Sequence, residues 1–447
     1  MDVETFIRQL FDRAASEGFE ACEADLRMEE SFTVGVREGV ISDYSVSSSQ
    51  GLGFRGLVNG KMGYASTQVF DDEAVSLLVT GAKENASLIE NADTQFIYQG
   101  DEAYPQVDIY NSAVDALTSS EKIELAKSLE KACLSIDPRV TRCQQVQLMT
   151  ESSSRRLVNT RGLDVAYRGN TIGVYASVLA HEGADVTRGS SFALLRDPAQ
   201  LDIEHVAREA VEEEIHYLQA SQVSSGEYPV VLRYDVASAL LNTFSEIFSA
   251  DAAQKGMSLY KGREGEAIAA PCVSIVDDPL NPESPDAAPF DGEGVATRRT
   301  DLVKDGVLKT LMHNLRTAGK QGVCTTANAS KRSYDSPVGV GARGMYVVPG
   351  AESLDQLLKR CGQGVFITDV QGLHSGANQI SGDFSLGAKG FTIENGAIGR
   401  PLSQITVAGN FYQLLRSVKA VGNELKFGFS RVASPDLLID SLSIAGK

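Results

Sequence analysis

The chain has 447 residues, a net charge of −18, 43% hydrophobic residues and 22% charged ones. That is the balance of a globular protein too long for one ordinary core, so two domains are expected. The acidity, with no local Lys/Arg cluster, argues against contact with nucleic acid. No run is long and apolar enough to cross a bilayer, and the start MDVETFIRQL, which carries Asp2 and Glu4 and no long apolar stretch, lacks the basic start and apolar run of a secretory signal. Cys22, Cys133, Cys143, Cys272, Cys324 and Cys361 are scattered without a CxxC, which reads as reduced thiols of a cytoplasmic protein.

In chain order, Val3 to Ser16 reads as a helix with Phe6, Leu10, Phe11 and Ala14 on one stripe. Alternating runs follow at Cys22–Met28, Phe32–Arg37, Val40–Ser47, Gly51–Val58 and Met62–Thr67, with the hairpin signal Asn59-Gly60 between the last two. A helix is expected over Asp71–Ile89. The plan then repeats, with a helix over Ser119–Leu134, alternating runs from Val140 to Leu195, and a helix over Asp202–Ala220. GLGFRGLVNGKMGYAS (Gly51–Ser66) and GLDVAYRGNTIGVYAS (Gly162–Ser177) share their first two and last three residues, as a duplicated unit would. Beyond Ser221–Gly226 come short strands and glycine turns, with helices over Asp235–Ala250, Ser353–Arg360 and Asn410–Ser417. The expected class is α+β. Residues 1–225 form a domain with an internal duplication (1–90 and 119–220), and residues 226–447 form a β-rich domain.

Four groups of residues invite a chemical reading. His181-Glu182 lacks the second histidine of a zinc helix and suits a surface turn. His205, Glu209, Glu213 and His216 share a helix face opposite the apolar Ile203, Val206, Ala210, Ile215 and Leu218, so that face is expected to meet water. The loop Asp277–Gly294 holds six carboxylates and four prolines, and suits a rigid surface or interface segment better than a calcium cage. Gly372–Gly390, GLHSGANQISGDFSLGAKG, has neither a phosphate loop's helix after Lys389 nor a Gly-x-Ser-x-Gly elbow around Ser375 or Ser381. By residue chemistry it is a structural or peptide-contacting loop. An autonomous hydrolase using His374 or His313 with a nearby serine is the alternative.

Ser375–Gly396, Pro401, Ile405–Asn410, Asp277-Asp-Pro279, Pro289–Gly294 and Ser434–Gly446 together resemble the signature of the TldD/PmbA family, in the same order. In that family the TldD-type subunit is a zinc peptidase with a His-Glu-x-x-x-His motif. The PmbA-type (TldE) subunit is its partner, and the pair cleaves leader peptides and small unfolded proteins in the bacterial cytoplasm. The family also carries the label modulator of DNA gyrase. Counting back from Gly256-Met-Ser258 sets the metal motif on Leu241, Asn242 and Glu246, and no histidine lies between His216 and His313. An aliphatic side chain offers no metal ligand, and an amide is no general base.

The resemblance therefore implies a PmbA-type subunit with no metal or other cofactor of its own and no catalytic residue. Its partners would be a TldD-type zinc peptidase and a peptide, with a homodimer in isolation and no nucleic acid or membrane. Asp291, Glu293, His374, Ser375, Asn378 and Asp383 are the expected peptide-contact or interface residues. Regulation of DNA gyrase by protein contact is the remaining alternative.

Overall fold

The computed structural model describes residues 1–90 and 93–447; the side chain of Glu213, one of the residues singled out above, lies outside the described residues. The first helix, α1 (Val3–Ser16), starts where the Asp2 carboxylate accepts the Thr5 N–H, and buries Phe6, Ile7, Leu10 and Ala14. Three antiparallel strands follow, β1 (Ala21–Arg37), β2 (Val40–Val58) and β3 (Lys61–Thr67), then α2 (Asp72–Ser87). After a long connection and a short helix α3 (Ser112–Ala116), the order recurs as α4 (Ser119–Ile136), β4 (Val140–Asn159), β5 (Asp164–Glu182), β6 (Asp185–Leu195) and α5 (Ile203–Tyr217). Thr118, rather than Ser119 or Ser120, caps α4, in a reciprocal pair with Glu121.

The six strands form one antiparallel sheet in the order β3-β2-β1-β4-β5-β6. Here the structure departs from the sequence reading. The two runs on either side of Glu29-Glu30-Ser31 are one strand, as are the two on either side of Ser48–Gln50. Glu29, Glu30 and Ser31 are paired on both sides, with Ser47–Ser49 of β2 and with Glu151–Ser153 of β4. A two-sided ladder holds the backbone extended, so polar side chains pointing to solvent do not end it.

Strand alternation sorts the sheet's two faces. Ala24, Phe32, Val34 and Val36 of β1 face the helices, in two clusters under α1 and α2 and under α4 and α5. Glu23 and Asp25 face the other way, with Arg55 of β2 and Arg155 of β4, and all four are buried.

The C-terminal half begins with β7 (Gly226–Leu232). It lies parallel to Gly364–Gln371, and the sheet continues through Asp383–Glu394 and Ala397–Asn410. Ala397–Asn410 also pairs with Leu437–Ala445, which returns to β7 on its other side, so the strands close into a ring. Val230, Leu232, Val365, Ile367, Leu386, Val407 and Ile439 belong to the large inner core, while the intervening Val231, Phe366 and Leu438 pack outward with Leu357, Leu358 and Tyr217. A second sheet combines Ile275–Asp277, Thr300–Lys304, Val307–Leu308, Met345–Val347 and Val432–Ala433. The class is α+β, as expected. Among the described residues no helix is long and apolar enough to cross a membrane.

Candidate functional site

The stretch that matches the metal motif lies on and after α6 (Tyr234–Thr243). The helix expected over Asp235–Ala250 breaks at Phe244, continues as a 3-10 turn over Ser245–Phe248, and resumes at Ala250–Gln254 after Ser249 caps the Ala252 N–H. Val236, Ala237, Leu240 and Leu241 are the buried residues of α6. Leu241 is 2% exposed within the apolar core. Phe244 stacks on Phe411, ring centroids 4.6 Å apart at 15°. Asn242 and Glu246 are exposed. A zinc site needs several nitrogen, sulfur or oxygen ligands converging on one point. Leu241 has none to offer and points into hydrocarbon, so these residues do not fit the metal of the motif. Among the described residues no group of three or more His, Cys, Asp or Glu is placed to hold a metal ion.

The glycine-rich segment lies on the surface. Leu373–Gly376 forms one helical turn, and Ala377 bridges back to Phe384. The Asn378 side chain accepts the N–H groups of Ile380 and Ser381 at 3.0 and 3.1 Å. Asp383 accepts the Ser381 hydroxyl at 2.8 Å and the Asn410 amide at 2.8 Å. Those bonds hold its carboxyl below the usual range, the Asn410 bond foremost. Asn378 and Asp383 thus shape the loop, which presents His374, Ser375 and Ile380 to solvent around a shallow depression that Phe384 also lines.

Asp291 and Glu293 are elsewhere and inside, 0% and 4% exposed, with Glu293 bordering a cavity of about 190 Å³ that Tyr64, Asn314 and Arg316 also line. Asp291 accepts the N–H groups of Glu293, Val295 and Ala329 at 2.8–3.0 Å and fixes the turn Phe290–Gly294. Its backbone carbonyl and that of Gly292 accept from Arg155 across the interface with the N-terminal sheet. Burial raises the Asp291 carboxyl above its ordinary value despite those three donors. Glu293 accepts the Leu315 N–H at 2.8 Å and lies 3.6 Å from Arg55, itself 2.6 Å from Glu23. Burial lifts Glu293 to about 7, against the pull of Arg55. Beside them Asp25 gathers Arg155 at 2.8 Å, Lys331 at 2.9 Å and Arg27 at 3.2 Å. Burial opposes its charge, but the three cations outweigh it and hold the carboxyl well below the carboxylate range. Sequence reading missed this cluster. The charged side chains at alternate strand positions (Glu23, Asp25, Arg27) were its only signal, and alternation alone reads as a solvated face.

The histidine candidates do not assemble a nucleophile site. His313 is 1% exposed, its Nδ1 has no hydrogen-bond partner among the described residues, and burial lowers its pKa. The Ser375 hydroxyl points to the Gly372 carbonyl at 3.4 Å rather than to an imidazole. On α5, His205 pairs with Glu209 at 3.2 Å on the exposed side, while Val206, Ala207, Ala210 and Val211 are buried, as the amphipathic pattern requires. His181 and Glu182 end β5 at its hairpin with β6.

A sheet backed by helices on one face and a closed ring of strands on the other, joined by buried ion pairs, define an α+β protein that presents its signature loop on the surface. Family models cover most of it: the PmbA/TldA metallopeptidase domain 1 matches residues 22–86, the central domain 113–218, and the C-terminal domain 225–446. The chain belongs to the PmbA/TldD family. It is 26% identical to the Escherichia coli O157:H7 protein named metalloprotease PmbA over 424 residues, covering 93% of this chain and 90% of that one. It is 25% identical to the metalloprotease TldD homolog of Haemophilus influenzae, covering 92% of this chain and 90% of that one. A Thermotoga maritima structure bearing the name of a DNA gyrase modulator superposes with a TM-score of 0.92 at 32% identity, over 99% of this chain and all of that one. TldE from Thermococcus kodakarensis shares the fold, with a TM-score of 0.89 at 22% identity over 99% of this chain and 100% of that one.

Proposed function

We propose that this chain is a PmbA/TldE-type subunit that holds no metal of its own and serves a TldD-type zinc peptidase in the cleavage of leader peptides or small unfolded proteins in the cytoplasm. One observation carries the reading: the residue matching the first histidine of the metal motif is Leu241, packed into the core, and the residue matching the glutamate is Asn242. A peptidase that polarises a carbonyl and activates water needs a cation and a base; neither position supplies one. The division near residue 225, and the duplication of 1–90 and 119–220, belong to the same reading. They are supported by the helix, three strands, helix order that occurs twice before β7.

In this reading the loop carrying His374, Ser375, Asn378 and Asp383 contributes to peptide grip or to the contact with the counterpart. Its support is exposure, combined with a conformation fixed by its own hydrogen bonds. Backbone-directed grip by strand addition suits substrates that share no sequence. The test is a peptide-cleavage assay with this chain alone, the TldD-type counterpart alone, and both together. Cleavage that requires the counterpart and rises on adding this chain is expected. Unchanged cleavage, together with no co-purification of the two, would sink the proposal.

A further inference from the structure

The face of the N-terminal sheet that carries Asp25 and Arg155 continues beyond the ion-pair cluster. Alternate strand positions extend it through Glu29, Ser31 and Thr33 of β1, Met149 and Glu151 of β4, and Thr171 of β5. With Pro285, Ala287, Arg332 and Phe429 of the C-terminal half, these residues line a cleft of about 480 Å³. That volume falls within the range of small-ligand sites, about 300–1,000 Å³.

Most charges of the cleft are already engaged. Arg27 and Arg155 pair with Asp25. Arg196 donates to the carbonyls of Pro282, Ile109, Asn170 and Ser284. Asp286 lies between Arg343 and Arg431. The carboxylates of Glu29 and Glu151, by contrast, have no hydrogen-bond or ion-pair partner among the described residues. The register sets Glu29 opposite Ser153 and Ser31 opposite Glu151. The two glutamates are thus diagonal neighbours on one face, about 7–8 Å apart, a span that a single cation can bridge. The walls of the cleft, and then the charge of Glu29, push the Glu151 carboxyl above its ordinary value. Beside this acidic pair the floor turns apolar. Gly173, opposite Met149, lets Met149 and Leu194 close over it, with carbons 3.1 and 3.3 Å from where a Cβ would stand. Phe429 adds its ring, 4.8 Å from that of Phe192 on β6.

We infer that this cleft binds a lysine or arginine side chain of an extended peptide, its cation between Glu29 and Glu151 and its aliphatic stem along Met149 and Leu194. Such side chains bury their stems on hydrocarbon and keep their charged tips paired. A metal ion does not suit the lining, because among the described residues no three ligating side chains converge. A peptide suits it better than a free polyamine. Peptide carbonyls and N–H groups can meet the hydroxyls of Ser31, Thr33 and Thr171, and the guanidinium of Arg332, which has no ion-pair partner among the described residues. The net charge of −18 also draws basic segments in from a distance. The inference deepens the peptide-grip reading above by naming the side chain held, and it concerns binding by this chain alone.

The test is titration calorimetry of the full chain with capped alanine–glycine hexapeptides that carry one lysine or, as control, one glutamine at the same position. The lysine peptide should bind at least about tenfold tighter, the discrimination that one hydrogen-bonded charge provides. Glu29→Gln/Glu151→Gln should abolish that difference. Both side chains are exposed, so this variant should keep the wild-type melting. Glu30→Gln/Glu84→Gln removes two exposed charges outside the cleft and should keep the difference. Equal affinity of the two peptides, binding of neither, or a lysine preference that survives Glu29→Gln/Glu151→Gln would overturn the inference. So would spermidine binding that needs both glutamates while the lysine peptide fails to bind, which would assign the cleft to a free polyamine. Stimulation of the counterpart's cleavage is scored separately. Its absence beside an intact lysine preference would remove the subunit reading and uphold this site.

Discussion

Two parts of the C-terminal half carry the family's marks and handle them in opposite ways. The motif segment at α6 turns its key residue inward, where Leu241 fills space beside Leu240 and Phe244. The segment 372–385 turns outward and uses Asn378 and Asp383 to hold its own shape. The Phe290–Gly294 turn sides with α6: its carboxylates look like surface chemistry in sequence and are interior fastenings in space. Inward residues should therefore fail by unfolding and outward ones by loss of function, a distinction that mutation can break.

The largest effect should come from Asp25→Asn. It strips the neutralising charge from Arg155 and Lys331, both buried with it. Breaking such a pair from one side costs about 3–5 kcal/mol, read as a lower denaturant midpoint. An unchanged midpoint would mean that water reaches the cluster. Leu241→Ala comes next, with about 2–5 kcal/mol lost to burial and cavity and no change in metal content. A loss below about 0.5 kcal/mol, the range of surface substitutions, would place Leu241 at a surface instead of in the core.

A smaller effect is a pH dependence. Glu293 has a folded pKa of about 7 against an ordinary 4.5, so the folded chain holds this proton more tightly than the unfolded one. Its ionisation therefore weakens the fold as pH rises from 4.5 through 7, and the loss is complete above 7. Asp25 has the opposite sign, but its window lies below 3.8 and does not overlap. Glu293→Gln should remove only its own share of the slope between pH 4.5 and 7; Asp436, raised by burial to about 6, and the buried Asp291 and Asp277, also raised by burial, keep a slope of the same sign. An identical slope in the variant would remove Glu293 as its source. The smallest change in stability, within about 0.5 kcal/mol, is expected for His374→Ala, as for surface substitutions generally. Its effect should appear as weaker stimulation of the counterpart's cleavage; wild-type stimulation would take His374 out of the contact.

The sequence made the helices legible because their apolar stripes recur at helical spacing; α1 and α5 are clear cases. The repeated helix–strand plan was legible for the same reason. Strand length was not: β1 runs through Glu29-Glu30 because partners on both sides hold it, and partners are invisible to local pattern. The break after Thr243 was hidden because the apolar stripe continues through Phe244, Ile247 and Phe248 across the 3-10 turn. Of the candidate residues, the exposed loop was readable from its glycines and polar side chains. The burial of Asp291 and Glu293 was not legible, because it depends on partners brought from distant segments, Ala329 and Arg55 among them.

The account rests on the packed aliphatic side chain at the metal position. Its most direct test is metal content of the purified chain, measured beside peptide hydrolysis in a preparation free of any counterpart. The account predicts sub-stoichiometric zinc and no chelator-sensitive cleavage. One zinc per chain, with hydrolysis that a chelator abolishes, would contradict it.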